Sequence, residues 1–382
     1  MAQGKKHGYR RLATRLAPEP GPTRAVKLDS MDRFHTMPFM DKLLSLQSEF
    51  QYRIVRKLFE GGMGIVYEAD QLGACGFTKR VAIKVIRQSF ANQKLFLENF
   101  IGEARLVADL IHTNIVQTYH FGSNGNAYFI VMEYVRGVNL EQFTRRLAEQ
   151  RRVLPLELAV FIVSRIARGL AYAHAKTGKD GRRLGIVHRD VSFKNIMIAF
   201  EGDVKLTDFG IAKARGFLQD QEGEVVAGKA DYMSPEQANF QITDQRSDIF
   251  SSGVVLGHLA LGYNIFKGAT SDESRDRVMS LDVPDFRQLD RRVDDRLNTI
   301  LQRSLARELD QRYPNADELL FELEHLIYHS GYGPTNETLG RFIRELFNVA
   351  AAGSSYETVG STVFLEPKRD DADSDPDRTP AP

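Results

Sequence analysis

At 382 residues the chain is too long for one small core and has room for one large or two medium domains. Hydrophobic residues at 42% and charged residues at 26% give a globular composition, and 51 Lys/Arg against 50 Asp/Glu leave a net charge of +1, which removes the whole-chain electrostatic argument for nucleic-acid binding. The single cysteine, Cys75, excludes an internal disulfide and a multi-thiolate metal site, and points to a reducing, cytoplasmic compartment.

Residues 1–30 carry seven Lys/Arg against Glu19 and Asp29, with Pro18, Pro20 and Pro22 among them, the pattern of a disordered basic arm. The start, Met1 to Arg15, lacks the apolar core of a secretory signal. An amphipathic stretch from Phe39 to Phe50 leads into short alternating apolar runs split by glycines. Phe50–Phe59, Gly64–Ala69, Val81–Ile86, Val116–Phe121 and Tyr128–Tyr134 predict strands, interrupted by one helix from Phe96 to Leu110. Beyond Gly137 the pattern turns helical, as in Leu156–Ala175 and Arg296–Arg307. Ile249 to Phe266 is 18 residues without a charge, but its serines, glycines, His258 and Asn264 predict a buried core helix and no membrane association. After Gly331, Leu339, Phe342, Ile343, Leu346 and Phe347 form the apolar stripe of a helix over 335–348, which either docks on its own lobe or binds a partner. Residues 366–382 predict a disordered acidic tail, and Asp370–Asp375 lacks the turn glycine and terminal glutamate of a calcium loop. The expected architecture is α+β, with a basic extension (1–49), a strand-rich lobe (50–136), a helical lobe (137–330) and a C-terminal helix and tail (331–382).

Glu60-Gly61-Gly62-Met63-Gly64-Ile65-Val66-Tyr67 sits between two predicted strands, where glycines let backbone N–H groups approach phosphates, although a tight hairpin reads the same way. Lys84 projects from the otherwise apolar Val81-Ala82-Ile83 strand and needs an anion, for which Glu103 on the next helix is a candidate. His188-Arg189-Asp190-Val191-Ser192-Phe193-Lys194-Asn195, Asp208-Phe209-Gly210 and Ser234-Pro235-Glu236 follow in the helical half, while His112 reads as a turn anchor.

In this order and at these separations the motifs are highly specific, and the chain resembles the eukaryotic-type serine/threonine protein kinases also found in bacteria, over about residues 50–330. The resemblance implies a bilobal protein-kinase fold with the nucleotide site in the cleft, ATP and Mg²⁺ as cofactors, and a protein substrate. It assigns Lys84 to the α/β-phosphates, oriented by Glu103, with Asp190 receiving the substrate hydroxyl's proton and Asn195 and Asp208 ligating the metal. Gly61, Gly62 and Gly64 would cover the phosphates. Val66, Ala82 and Met197 would sandwich adenine, with the backbone of Glu133 and Val135 at its edge, Met132 as gatekeeper and Asn139 toward the ribose. Glu236 would pair with Arg312, Asp248 would bond the catalytic-loop backbone, and His188, Phe209 and Val107 would join an apolar column between the lobes.

Three departures stand out. Phe59 occupies the first glycine position of the loop and would stiffen or cover it. Ser192 replaces the lysine that neutralises the transferring phosphate, so that Lys194 or Lys229 would have to supply the charge. The stretch Ile211 to Gly228 holds no Ser, Thr or Tyr; either Asp220, Glu222 or Glu224 pairs with Arg189 in place of a phosphate, giving activity independent of loop phosphorylation, or the acidic loop is simply solvated. The functional expectation is an ATP-dependent Ser/Thr protein kinase in signalling; the alternative is a nucleotide-binding pseudokinase scaffold. A small-molecule phosphotransferase fits less well, because Ser234-Pro235-Glu236 has its matching arginine.

Overall fold

In the computed structural model, which describes residues 51–62, 64–87, 101, 107–124, 127–209 and 230–350, period-two patterning builds the first lobe. Strands β1 (Gln51–Glu60), β2 (Gly64–Leu72), β3 (Thr78–Ile86), β4 (Thr118–Asn124) and β5 (Ala127–Glu133) form an antiparallel sheet in the order β1-β2-β3-β5-β4. Alternation along β3 and β5 divides their apolar residues between two faces. Val81, Ile83, Phe129 and Val131 pack with Tyr52 and Ala69 on one face. Ala82, Ile86, Ile130 and Met132 pack with Val116 on the other. Lys84 shares the Ala82 side by this alternation, which directs it into the cleft. The basic extension, the stretch leading into β1, most of the 96–110 helix including Glu103, residues 210–229 and the acidic tail lie outside the described residues.

The second lobe begins with β6 (Gly137–Asn139) and α1 (Leu140–Glu149), whose cap is Asn139: it accepts from Gln142 N while Gln142 reciprocates on the Asn139 backbone. Helix α2 (Leu156–Ala175) is apolar around most of its circumference and is buried along its length. Strands β7 (Ile196–Ala199) and β8 (Val204–Leu206) complete a small sheet in the order β6-β7-β8. Next come α3 (Pro235–Ala238), α4 (Gln245–Leu261), α5 (Ser271–Ser280), α6 (Phe286–Leu289), α7 (Asp295–Ser304), α8 (Ala316–Tyr328) and α9 (Asn336–Phe347).

The charge-free run does not form one helix from Ile249 to Phe266. Helix α4 starts earlier, capped by Asp244, and stops at Leu261 because Gly262 takes the left-handed conformation with φ 81°. As expected it is a core helix; among the described residues no helix is long and apolar enough to cross a membrane. The stripe of α9 is turned inward: Leu339, Ile343 and Leu346 are fully buried in the large core of its own lobe.

An ion pair fixes α3 to the loop before α8. Arg312 donates to both Glu236 oxygens at 2.8 and 2.9 Å, and both residues are buried. Burial alone would raise the Glu236 carboxyl, but the Arg312 contacts outweigh it and hold the pKa below the usual range. Replacing Arg312 by Leu leaves a buried carboxylate without its partner; the expected loss is about 3–5 kcal/mol in equilibrium unfolding by urea, and a variant as stable as the parent would remove this assignment.

Candidate active site

A buried carboxylate organises the catalytic loop. Asp248, in the first turn of α4, accepts from His188 N at 2.8 Å and Arg189 N at 2.7 Å, and lies 2.8 Å from His174 Nε2 on α2. Burial pushes its pKa up, yet the hydrogen bonds from the His174 ring and the His188 backbone hold it below the ordinary value. Arg189 takes φ 61°, a conformation that side chains other than glycine rarely adopt, with its N–H bonded to Asp248 and its carbonyl accepting from Gln237 Nε2 at 2.9 Å.

From this anchor the reactive groups follow. The His188 ring accepts from Asp190 N at its Nδ1 (3.2 Å) and donates from Nε2 to the Thr207 carbonyl (3.1 Å), which fixes its neutral tautomer. Burial lowers its pKa in the same direction. The Asn195 amide nitrogen donates to the Asp190 carbonyl at 2.9 Å and to Asp190 Oδ2 at 2.7 Å. Asp208, at φ 56°, receives Lys84 Nζ at 2.6 Å across the cleft. The Phe209 ring centroid lies 4.5 Å from that of His188, and Val107 is buried in the same core cluster as Phe209. His112 anchors its turn, accepting from Asn114 N at 3.1 Å and stacking on Tyr172.

The expected adenine positions converge in part. Val66, Ala82, Met132 and Val135 share one apolar cluster, and Met197 lies half-buried on β7, opposite Asn139. A further pocket behind Met132 is bounded by Lys84, Val116, Thr118, Asp208 and Phe209. The Asn139 side-chain oxygen caps α1, so its nitrogen is what it offers toward a ribose. Glu133 is tied by its side chain to Lys205 on β8 at 2.9 Å, and its backbone N–H donates to the Gln117 carbonyl. In the glycine loop, Gly61 N donates to the Gly64 carbonyl at 2.9 Å. A Cβ on Gly64 would meet the Val85 carbonyl oxygen at 2.2 Å, so only glycine fits there, whereas Gly62 faces open space. The Phe59 ring lies over Gly61, where a Cβ would come within 2.8 Å of it.

Ser192 is buried and its hydroxyl has no hydrogen-bond partner among the described residues. Lys194 is exposed, with its ammonium 3.8 Å from Glu141. Glu103, Lys229 and the acidic residues proposed for Arg189 lie outside the described residues. Two of the features that sequence reasoning missed are made by tertiary contact. Arg56 on β1 donates to Glu68 at 2.6 Å and to the Tyr134 hydroxyl at 3.3 Å, tying the segment after β5 to the sheet. Phe193 stacks on His258 of α4 with centroids 4.1 Å apart, and the Tyr232 hydroxyl is hydrogen-bonded to His258 Nδ1 at 2.8 Å.

The sequence pattern of the protein kinase domain matches residues 52–326, most of the chain. The chain belongs to the protein kinase family. The tyrosine-protein kinase MasK of Myxococcus xanthus is 36% identical over 302 residues, covering 79% of this chain and 47% of that protein. The serine/threonine-protein kinase PrkC of Bacillus subtilis is 32% identical over 269 residues, covering 70% of this chain and 39% of that protein. PknL of Mycobacterium tuberculosis, also a serine/threonine-protein kinase, is 32% identical over 284 residues, covering 74% and 67%. This kinase chain thus spans about half or less of the length of several curated relatives it matches. The kinase domain structure of M. tuberculosis PknI superimposes with TM-score 0.54 at 26% identity, covering 72% of this chain and 95% of that one, in keeping with the bilobal α+β kinase fold.

Burial, and then the nearby Lys267, lower the His258 pKa from 6.5 to about 4. A group whose folded pKa is depressed binds its proton more readily in the unfolded chain, so for a histidine stability falls as pH drops below 6.5. Between pH 6.5 and 4 this one residue accounts for about 3 kcal/mol of the acid loss. His258→Asn is expected to flatten the stability profile over that window in urea unfolding; an unchanged slope would contradict it.

Proposed function

We propose that this chain is an ATP-dependent protein kinase that transfers the γ-phosphate to serine or threonine hydroxyls of protein substrates. The observation that carries the reading is the hydrogen-bonded assembly of Lys84 with Asp208 and of Asn195 with Asp190, all referred to the buried Asp248. Phosphoryl transfer asks for positioning and charge placement, which this set supplies. The presence of Lys84, Asp190, Asn195 and Asp208 together speaks against a nucleotide-binding scaffold.

The donor set fits a divalent ion such as Mg²⁺. The Asn195 nitrogen faces two acceptors on Asp190, which leaves its side-chain oxygen as the metal-facing atom, and Asp208 adds a carboxylate. Among the described residues there is no group of three or more His, Cys, Asp or Glu that could hold a metal ion, so phosphate oxygens would complete the coordination, as small hard cations prefer. When bound, the ion neutralises charge on the β- and γ-phosphates. Lys84 orients the α/β-phosphates from the roof of the cleft. Asp190, held from behind by Asn195, takes the proton of the substrate hydroxyl as its oxygen bonds to the γ-phosphorus and the β–γ bridging bond breaks, releasing ADP.

Serine/threonine specificity is supported by the likeness to PrkC and PknL, both serine/threonine-protein kinases. A tyrosine reading is favoured by one observation, the description of MasK as a tyrosine-protein kinase. Asp190→Ala is expected to lower transfer of labelled γ-phosphate to a basic protein substrate about 10²–10⁴-fold with nucleotide binding kept. Acid hydrolysis of the product then reads the acceptor: phosphoserine or phosphothreonine supports the proposal, phosphotyrosine replaces it, and undiminished transfer in the variant removes it.

Lys194, on the turn just before Asn195, is our candidate for the cation that compensates for Ser192. Lys194→Met should lower kcat about tenfold or more while leaving the KM for ATP in place, because the charge acts on the transferring group. An unchanged kcat would move the role to Lys229.

A further inference from the structure

The kinase pattern ends at residue 326, yet α9 lies beyond it and is built into the helical lobe. Its contacts converge on the turn between β7 and β8. Asn336 Nδ2 donates to Asp203 Oδ1 at 2.6 Å, Arg344 Nη1 donates to the Phe200 carbonyl at 2.9 Å, and the Phe347 ring meets Phe200 edge-on at 6.1 Å. A Cβ on Gly202 would lie 1.8 Å from the Asn336 carbonyl oxygen, and one on Gly340 would lie 2.7 Å from that of Glu201, so helix and turn meet backbone to backbone. On its other side α9 grips α1. Phe342 packs on Phe143, and Arg146 and Gln150 both donate to the Leu346 carbonyl, at 3.2 and 2.9 Å.

Turn and helix α1 are the two elements that receive the chain as it leaves the adenine cluster. Phe200 N donates to the Arg136 carbonyl at 3.0 Å, one residue after Val135. In β6, Asn139 pairs with Met197 of β7 and caps α1. Strands β6 and β7 have three and four residues, too short a ladder to be rigid without support from packing. The support on the outer side is α9.

We propose that α9 is a positioning element for the nucleotide site, fixing the Val135–Asn139 segment and Met197 through Phe200 and α1, with Arg344 as its positioning residue. The inference rests on reading the cleft as an ATP site. It assigns a role in nucleotide affinity to a helix that the shared kinase domain does not include.

The test uses the full chain with Arg344→Met, which keeps the stem but removes the donor to Phe200, and Gly340→Leu, which separates helix from turn. Arg303→Met is the control; it removes a contact to Glu318 between α7 and α8, away from this surface. Affinity for a non-hydrolysable ATP analogue with Mg²⁺ is measured by calorimetry below every variant's Tm, beside KM for ATP and for a protein substrate. The expected result is a rise of about five- to tenfold in Kd and in KM for ATP with Arg344→Met, larger with Gly340→Leu, and the protein-substrate KM held within about twofold. Unchanged nucleotide affinity in both α9 variants, or an equal rise in the control, overturns the proposal. If the parent binds the analogue but transfers no phosphate, the activity reading falls and the affinity ratios still decide the role of α9. A parent that binds no nucleotide sinks both.

Discussion

Asp248 sits at the start of a helix inside the apolar lobe, where a lone carboxylate would be driven toward its neutral form. It keeps its charge because the ring of His174 and the backbone N–H groups of His188 and Arg189 reach it from other parts of the chain. Those contacts hold Arg189 in its left-handed conformation. His188 can then bridge Asp190 to Thr207, and Asn195 can clasp Asp190. The position of the catalytic carboxylate is therefore set from below, by a group that touches neither nucleotide nor substrate.

Much of this was legible in the residues because it depends on local pattern. Alternation marks β3 and β5 and also puts Lys84 on the cleft side. Helix α2 was found to its ends because its apolar run begins after Pro155 and ends at a residue whose backbone turns extended. The end of α4 was misplaced because composition alone does not reveal that Gly262 will turn left-handed inside an uncharged run. What stayed hidden depends on partners distant in sequence. Asn139 reads equally as a ribose ligand or a cap until α1 is seen to begin beside it. Glu133 and Lys205, or Arg56 and Tyr134, are separated by too much chain for spacing to pair them.

These hidden contacts share a location. Arg56 holds Tyr134 from the sheet, Lys205 holds Glu133 from the helical lobe, and Arg344 holds Phe200 beside Arg136. Each places a positive side chain against an oxygen acceptor within a few residues of Val135 along the chain or across the small sheet. A crossing between lobes made of a few residues of extended chain has little stiffness of its own. Here the stiffness comes from side chains anchored in both lobes and in α9.

Met132 belongs to the apolar cluster of Val66 and Ala82 and also lines the pocket beside Thr118 and Phe209. Its side chain is unbranched and holds no hydrogen bond that a smaller residue would orphan. Trimming it to alanine or glycine would enlarge that pocket while leaving Lys84 and Asp208 in place. If the cleft holds ATP as proposed, the enlarged cavity would admit purines carrying a bulky substituent. Such an engineered orthogonal enzyme could tag its own targets selectively in a crude cell extract, turning one side chain's bulk into a route to substrate discovery.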